Sequence, residues 1–542
     1  MLCRCVFPIL LVSLLCFPAA ADEQHQHGPV TGKLGDVTFE TSCDKSVAKD
    51  FRRAVAMLHS FWYSGAETAF GEIAKKDPEC AMAYWGIAMS AYHPLWAVPT
   101  TPELQRGRAA LAKARNAKRQ TAREREWIEA IARPLELDGK IPLIERNKAW
   151  AAGMEKVHSA NPADTEAEIY YLLARLSTAS PSDKSYAVQK AIGPRLEQLF
   201  AKYPTHPGLP HYVIHTYDYP ELAPRALDAA RRYASIAPES AHALHMPSHI
   251  FTRLGLWQDS IRSNIDSANA ARRDFRSSQS PYALGEQLHA MDYLTYGYIQ
   301  RGEVDAARRI LAEMKALGPI DRPVFAGVYA SAAIPARYFI ETHQWKDARD
   351  LPEPGFTGES YWTEVANAIV FWTRSLGAAR TGQLDRARAD VEKMRALREK
   401  LVQSKRQDGA DTIEVLRLSA SAWIAFAAGQ PAEAERLMRA SADLEDRTEK
   451  HPVTPGAVLP AREQLADLLA QTGRPAEALR EYRASLATAP NRLNGLLGAA
   501  RAAERAGNKE AAAEYYAKVL QVAPKADPKL LKDAKQNISA AR

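Results

Sequence analysis

Apolar and polar residues along this 542-residue chain follow the period of a helix and not that of a strand. The long segments are built from Ala, Leu, Arg and Glu with apolar positions three and four apart, and alternating runs rich in Val, Ile and Thr are absent. The pattern predicts an all-α chain of helices joined by short turns. A longer period lies over the helical one. Gly473, Ala478, Tyr482 and Pro490 return 34 residues later as Gly507, Ala512, Tyr516 and Pro524, the spacing of a repeated helix-turn-helix unit. An amphipathic helix pair cannot bury its apolar face alone, so such units must stack into one continuous core.

Looser copies carry the register through the chain: Leu294, Tyr298, Gly302, Ala307, Leu311 and Pro319; Ala348, Ala387 and Ala434; and near the start Ala66, Phe70 and Pro78. With these residues the chain resembles the tetratricopeptide-repeat family over nearly all of its mature length. The Ala81-Met-Ala-Tyr-Trp-Gly-Ile-Ala-Met-Ser90 stretch is similar to one in secreted bacterial members, and no defined activity comes with it. The resemblance implies an α-solenoid of roughly a dozen helix pairs, and a concave groove in which proteins or peptides bind.

Residues 1–21 stand apart from the repeats. Arg4, the apolar run from Val6 to Phe17, and Ala19-Ala20-Ala21 before Asp22-Glu23 read as a signal peptide cleaved near residue 21. The run is short of the roughly 20 residues that span a bilayer, so the mature chain is expected to be periplasmic or secreted, with no transmembrane segment. Cys43 and Cys80 are then the only cysteines left. Helix A of the first repeat is expected over about Ser46–Phe61 and helix B over about Gly65–Lys76. The two cysteines flank one end of that hairpin, which suits a disulfide in an oxidising compartment; two unrelated buried thiols are the alternative.

The mature chain divides into an N-terminal segment over 22–45, a first helical block over 46–350, a linker over 351–359, and a second block over 360–542 whose final segment, from Lys525, would cap the stack. The linker is read from Leu351-Pro-Glu-Pro-Gly-Phe-Thr-Gly358. Glycine at 28, proline at 33 and 8% aromatic residues fit this organisation. A net charge of +7 is modest for the size and does not imply nucleic acid. The densest basic run, Arg106 to Arg125, reads as a solvated helix face.

The chemistry lies in histidine. Ala226 and Ser260, 34 residues apart, hold the small-residue position of two successive units. Counted from them, His211 and His215 take positions 5 and 9, His242, His245 and His249 take 2, 5 and 9, and His289 takes 2 of the next unit. In the family these positions line the groove, so the resemblance brings the six onto one patch. Asp292 and Tyr296 continue the stripe, and Asp218 holds position 12.

Neutral imidazole is the commonest transition-metal ligand, and pairs four apart, His211 with His215 and His245 with His249, can present two nitrogens to one ion. Asp292 would complete the sphere, while Asp218, Glu286 and Tyr296 would stand behind it. Nitrogen and oxygen donors suit Zn, Cu, Ni or Fe. Three readings stand: an exported binding scaffold with a metal or ligand site, a metalloenzyme using the same residues, and a protein-interaction scaffold without metal, in which the histidines either bind a ligand such as a peptide carboxylate or form a structural polar network. No HExxH, CxxCH, GxSxG or P-loop pattern names an enzyme class.

Two further features qualify the patch. Pro247, between His245 and His249, either kinks one helix or starts a new one. His59 and His93, 34 residues apart among Phe61, Trp62, Tyr63, Trp85, Tyr92 and Trp96, either extend the groove or close the first repeats by packing.

Overall fold

The computed structural model describes residues 32–541 except 96–97, 181, 279–280, 319–324 and 357–360. The signal segment, its cleavage point, Trp96, Pro319 and the end of the expected linker lie outside the described residues. The chain divides into residues 1–32 and a compact unit over Lys33–Arg542.

That unit is all-α. Its helices pack mostly on their neighbours in the chain, as a stack of antiparallel pairs requires. The described residues contain no strand, only an isolated bridge between Cys80 and Arg119. The register seen in the sequence is the packing register: Ala66, Ala226, Ala307, Ala348, Ala387, Ala434 and Ala478 have no exposed surface, and Ser260 has almost none. Only a small side chain lets two helices of a pair approach this closely. Gly302, Gly382, Gly429, Gly473 and Gly507, with φ between 70° and 78°, end the first helix of their pairs in the left-handed conformation that glycine adopts without strain.

The first hairpin comprises helices Ala48–His59 and Tyr63–Lys76, and a disulfide joins Cys43 to Cys80. The last helix is Pro528–Ala541. Apolar packing divides elsewhere than the sequence suggests. One cluster runs from Leu34 to Phe251 and the other from Leu288 to Ala534, so the division falls within helix Trp257–Ser278 and the start of helix Pro281–Gln300. The stretch Leu351–Phe356 is irregular, but helices Phe325–Glu341 and Tyr361–Arg380 pack directly on each other, and the core continues past it.

The two halves also touch side by side. Trp257 Nε1 donates to the Asn491 carbonyl at 2.7 Å. Within the second half, buried Arg492 bridges Glu341, at 2.6 Å, and Glu463, at 2.8 Å. The irregular segment between helices Pro431–Arg447 and Ala461–Gln471 crosses to the first half: Glu449 pairs with Arg253 at 2.8 Å and with Lys184 at 2.9 Å, and Lys450 pairs with Asp218 at 2.9 Å. This segment covers the histidine patch.

Candidate metal centre

All six histidines meet. His211 and His215 come from helix Gly208–Tyr217, His242 and His245 from Ala241–His245, His249 from Pro247–Arg253, and His289 from Pro281–Gln300. Pro247 is the first residue of its helix, and Met246 before it is helical (φ −51°, ψ −37°), so the two short helices follow one another with the backbone helical across the junction. His242 and His245 are therefore helical and not in a loop. Pro210 lies in a first turn, where its missing N–H costs nothing.

The rings form two trios. Ligand atoms of His211, His215 and His242 all lie within 4.8 Å of one another, and so do those of His245, His249 and His289. Ring centroids are 6.3 Å apart between His215 and His249, and 6.4 Å between His242 and His245, so the trios adjoin.

Hydrogen bonds fix which nitrogen carries the proton on three rings. His249 Nδ1 lies 3.0 Å from Asp218 Oδ2. Burial favours a neutral Asp218, but Lys450 and then Arg253 outweigh it and hold the carboxyl well below its usual range, so it accepts the His249 proton. His245 Nδ1 lies 2.7 Å from Asn264 Oδ1. Asn264 Nδ2 donates to the Ser260 carbonyl at 2.7 Å, which leaves Oδ1 to accept from His245. His211 Nδ1 donates to the His59 carbonyl at 2.6 Å.

The Nε2 atoms of His245 and His249 are thus lone-pair nitrogens, and they face each other at 3.0 Å. His211 Nε2, likewise a lone pair, lies 3.2 Å from His242 Nε2. Two nitrogens each about 2.0–2.1 Å from one ion, at an angle of about 100°, stand about 3.1 Å apart. His215 Nε2 is buried with no hydrogen-bond partner among the described residues.

Electrostatics keep five of the rings neutral. Burial, then the neighbouring imidazoles, hold His211, His215, His245 and His289 well below the usual imidazole range, and burial outweighs Asp218 at His249. A neutral imidazole is the form that binds metal.

Several sequence expectations need correction. The histidines do not line an open groove: five of the six are buried, and the segment around Lys450 lies over them. Asp292 is not turned to the trios. Its Oδ1 accepts from Arg337 Nε at 2.8 Å, and Arg337 also donates to the carbonyls of Gly456 and Ala457 in the covering segment. Tyr296 belongs to the same network, accepting from Arg492 at 2.8 Å, and stands behind no histidine. A buried arginine takes each of them because an unpaired buried guanidinium is far more costly than a displaced ligand.

Asp218 backs His249, and Glu286 Oε1 lies 3.7 Å from His242 Nδ1. His59 offers its carbonyl to His211 but turns its ring away, to Glu166 at 2.9 Å and Tyr212 at 2.8 Å. His93 packs on Tyr63, with centroids 4.3 Å apart, and is a packing residue.

Sequence reasoning missed the His59–Glu166–His206 cluster, the amide of Asn264, and the Arg253–Lys450 pair around Asp218. His206 lies off the repeat register, and Asn264 is one polar residue among many on its helix, so neither left a signal in spacing.

A small cavity of about 40 Å³ adjoins the trios and is lined by His215, His242, His249, His289, Glu286 and Val453, among others. Members of both trios face it.

No protein-family model matches the chain, and no curated protein matches it. Solved structures similar to it include a tetratricopeptide repeat protein from Parabacteroides merdae ATCC 43184 (13% identity, TM-score 0.30, covering 56% of this chain and 99% of that one). Yeast Tom70 is 11% identical with a TM-score of 0.30, covering 92% of this chain and 95% of its own. The apo form of RapI is 11% identical with a TM-score of 0.34, covering 78% and 99%. At these scores the functional argument rests on the histidine centre alone.

Proposed function

We propose that this chain is an exported metal-binding protein whose helical stack holds late transition-metal ions in the six-histidine centre. One observation carries the reading: His245 and His249 aim two lone-pair nitrogens at each other across 3.0 Å, both Nδ1 protons being committed to Asn264 and Asp218. Opposed lone pairs repel unless a cation lies between them, and burial disfavours a proton in that role. Nitrogen donors suit Zn, Cu, Ni or Fe. Asp218 and Asn264 would hold the ligand tautomers, as acceptors behind metal-bound imidazoles do. The Cys43–Cys80 bridge supports assembly in an oxidising compartment.

Elemental analysis of untagged mature protein, as purified and after reconstitution, tests the reading. At least one equivalent of a transition metal per chain is expected. Less than half an equivalent of every metal tried would reject it and leave a partner-binding scaffold, for which the fold alone is weak support.

Glu286 favours a second reading, a metalloenzyme. It lines the cavity beside four of the histidines, and its Oε2 is buried without a hydrogen-bond partner among the described residues, as suits an acid or base held next to a bound ligand. Turnover of any small molecule by the loaded protein, lost in Glu286→Gln with metal content unchanged, would support it.

A further inference from the structure

We propose that the centre holds two copper ions side by side, one in each trio, sharing a small bridging ligand in the cavity between them. The proposal rests on the metal-binding reading and adds number, identity and coupling. Number follows from the grouping: the six ligand nitrogens form two separate sets, each compact, and each set contains one close nitrogen pair, at 3.2 Å in the first and 3.0 Å in the second. One ion bound at about 2.1 Å reaches nitrogens at most about 4.2 Å apart. An imidazole centroid sits about 3 Å from an ion that its Nε2 binds at about 2.0 Å. Centroids across the divide, 6.3 and 6.4 Å apart, match the widest pair inside each trio, 6.3 Å, so the division into two sites rests on the grouping of the ligand nitrogens.

Identity follows from donor type and charge. Each set is three imidazoles and no carboxylate. Asp218 is committed to Lys450, Arg253 and His249, and Asp292 Oδ1 to Arg337, while Glu286, 3.7 Å from His242, faces the cavity as a single carboxylate. Two dications here would put four positive charges beside Lys450 and Arg253, against the two carboxylates of Asp218 and Glu286, and such burial is costly. Copper relieves this in its monovalent state, for which three neutral nitrogens suffice, and among divalent ions it binds nitrogen most tightly. In the divalent state a bridging anion such as hydroxide supplies the missing negative charge. The cavity provides the place, since His215 and His242 of one trio and His249 and His289 of the other line it together. Three protein ligands leave each ion an open position there.

The test uses the full chain titrated with Cu(II), with bound copper measured after gel filtration and spins counted by electron paramagnetic resonance. Two equivalents with less than a tenth of the expected spin intensity are expected, because a shared ligand couples the two unpaired electrons. His245→Gln, and separately His215→Gln, should each bind one equivalent with full single-spin intensity, with circular dichroism reporting that each variant is folded. Two equivalents at full intensity would overturn the shared ligand, and one equivalent in the wild type would overturn the pair. No copper, but a full equivalent of zinc, would overturn the copper assignment and keep the metal reading. No metal of any kind would overturn both.

Discussion

Asp218 Oδ2 accepts the Nδ1 proton of His249 at 3.0 Å while the same carboxylate holds Lys450 and Arg253, at 2.9 Å each. One buried acid thus fixes a candidate ligand and ties down the segment that covers it. Lys450, mostly buried, is pushed down to about 8 by burial, against the pull of Asp218. Asp218→Asn would leave Lys450 without its carboxylate partner and Arg253 with Glu449 alone. It is expected to lower stability by about 3–5 kcal/mol in chemical denaturation, and to weaken metal uptake by about 10- to 100-fold.

His249→Gln removes one nitrogen of the closest pair without emptying the space. Metal affinity in competition with a chelator should fall more than about 100-fold, with helical content unchanged. His211→Ala with His249→Ala would also abolish uptake, but both side chains are buried, so the double variant would lose about 2–5 kcal/mol per site by analogy with other large-to-small core changes. A stability loss without metal is therefore not by itself a sign of a purely structural network. The Gln variant is the cleaner measurement.

Asp467 gives a pH signature outside the histidine centre. Burial, then Glu463, pushes its carboxyl up to about 7. The folded value lies above the unfolded one of about 3.9, so its contribution to stability is full below about pH 4 and is lost as pH rises through 7. Asp467→Asn should gain stability relative to wild type between pH 5 and pH 8, with an upper bound of about 4 kcal/mol. Thermal melting of both proteins across that range checks it, and a constant difference would contradict it.

Cys43 and Cys80 close a loop with a sequence separation of 37 residues around the first hairpin. In the chain-entropy model the bridge contributes about 3–4 kcal/mol. Cys43→Ala with Cys80→Ala should lower global stability by that order. Hydrogen exchange should speed most in helices Ala48–His59 and Tyr63–Lys76, since a terminal repeat has one neighbour.

The fold was legible where local rules govern it. The 34-residue spacing of Ala478 and Ala512 reports how closely two helices pack, and Gly473 and Gly507 report a left-handed turn, both set within one unit. The same phase brought the six histidines together, because positions 2, 5 and 9 of successive units adjoin. What escaped was set by residues far away in sequence. Arg337 claims Asp292 from 45 residues on, and Lys450 reaches Asp218 across 232. The burial of a patch expected to be open comes from the same crossing segment. Periodicity carries no information about contacts at such separation, and the expected boundary at Leu351 failed for a related reason: a break in helix is not a break in packing.

The most direct measurement is anomalous diffraction at the copper edge from crystals of the loaded protein. The account predicts two peaks, one about 2.0–2.1 Å from the Nε2 atoms of His245 and His249 and one at the same distance from Nε2 of His211. Rings of both trios still in contact with each other, and no anomalous peak within about 3 Å of any of the six imidazoles, would contradict it.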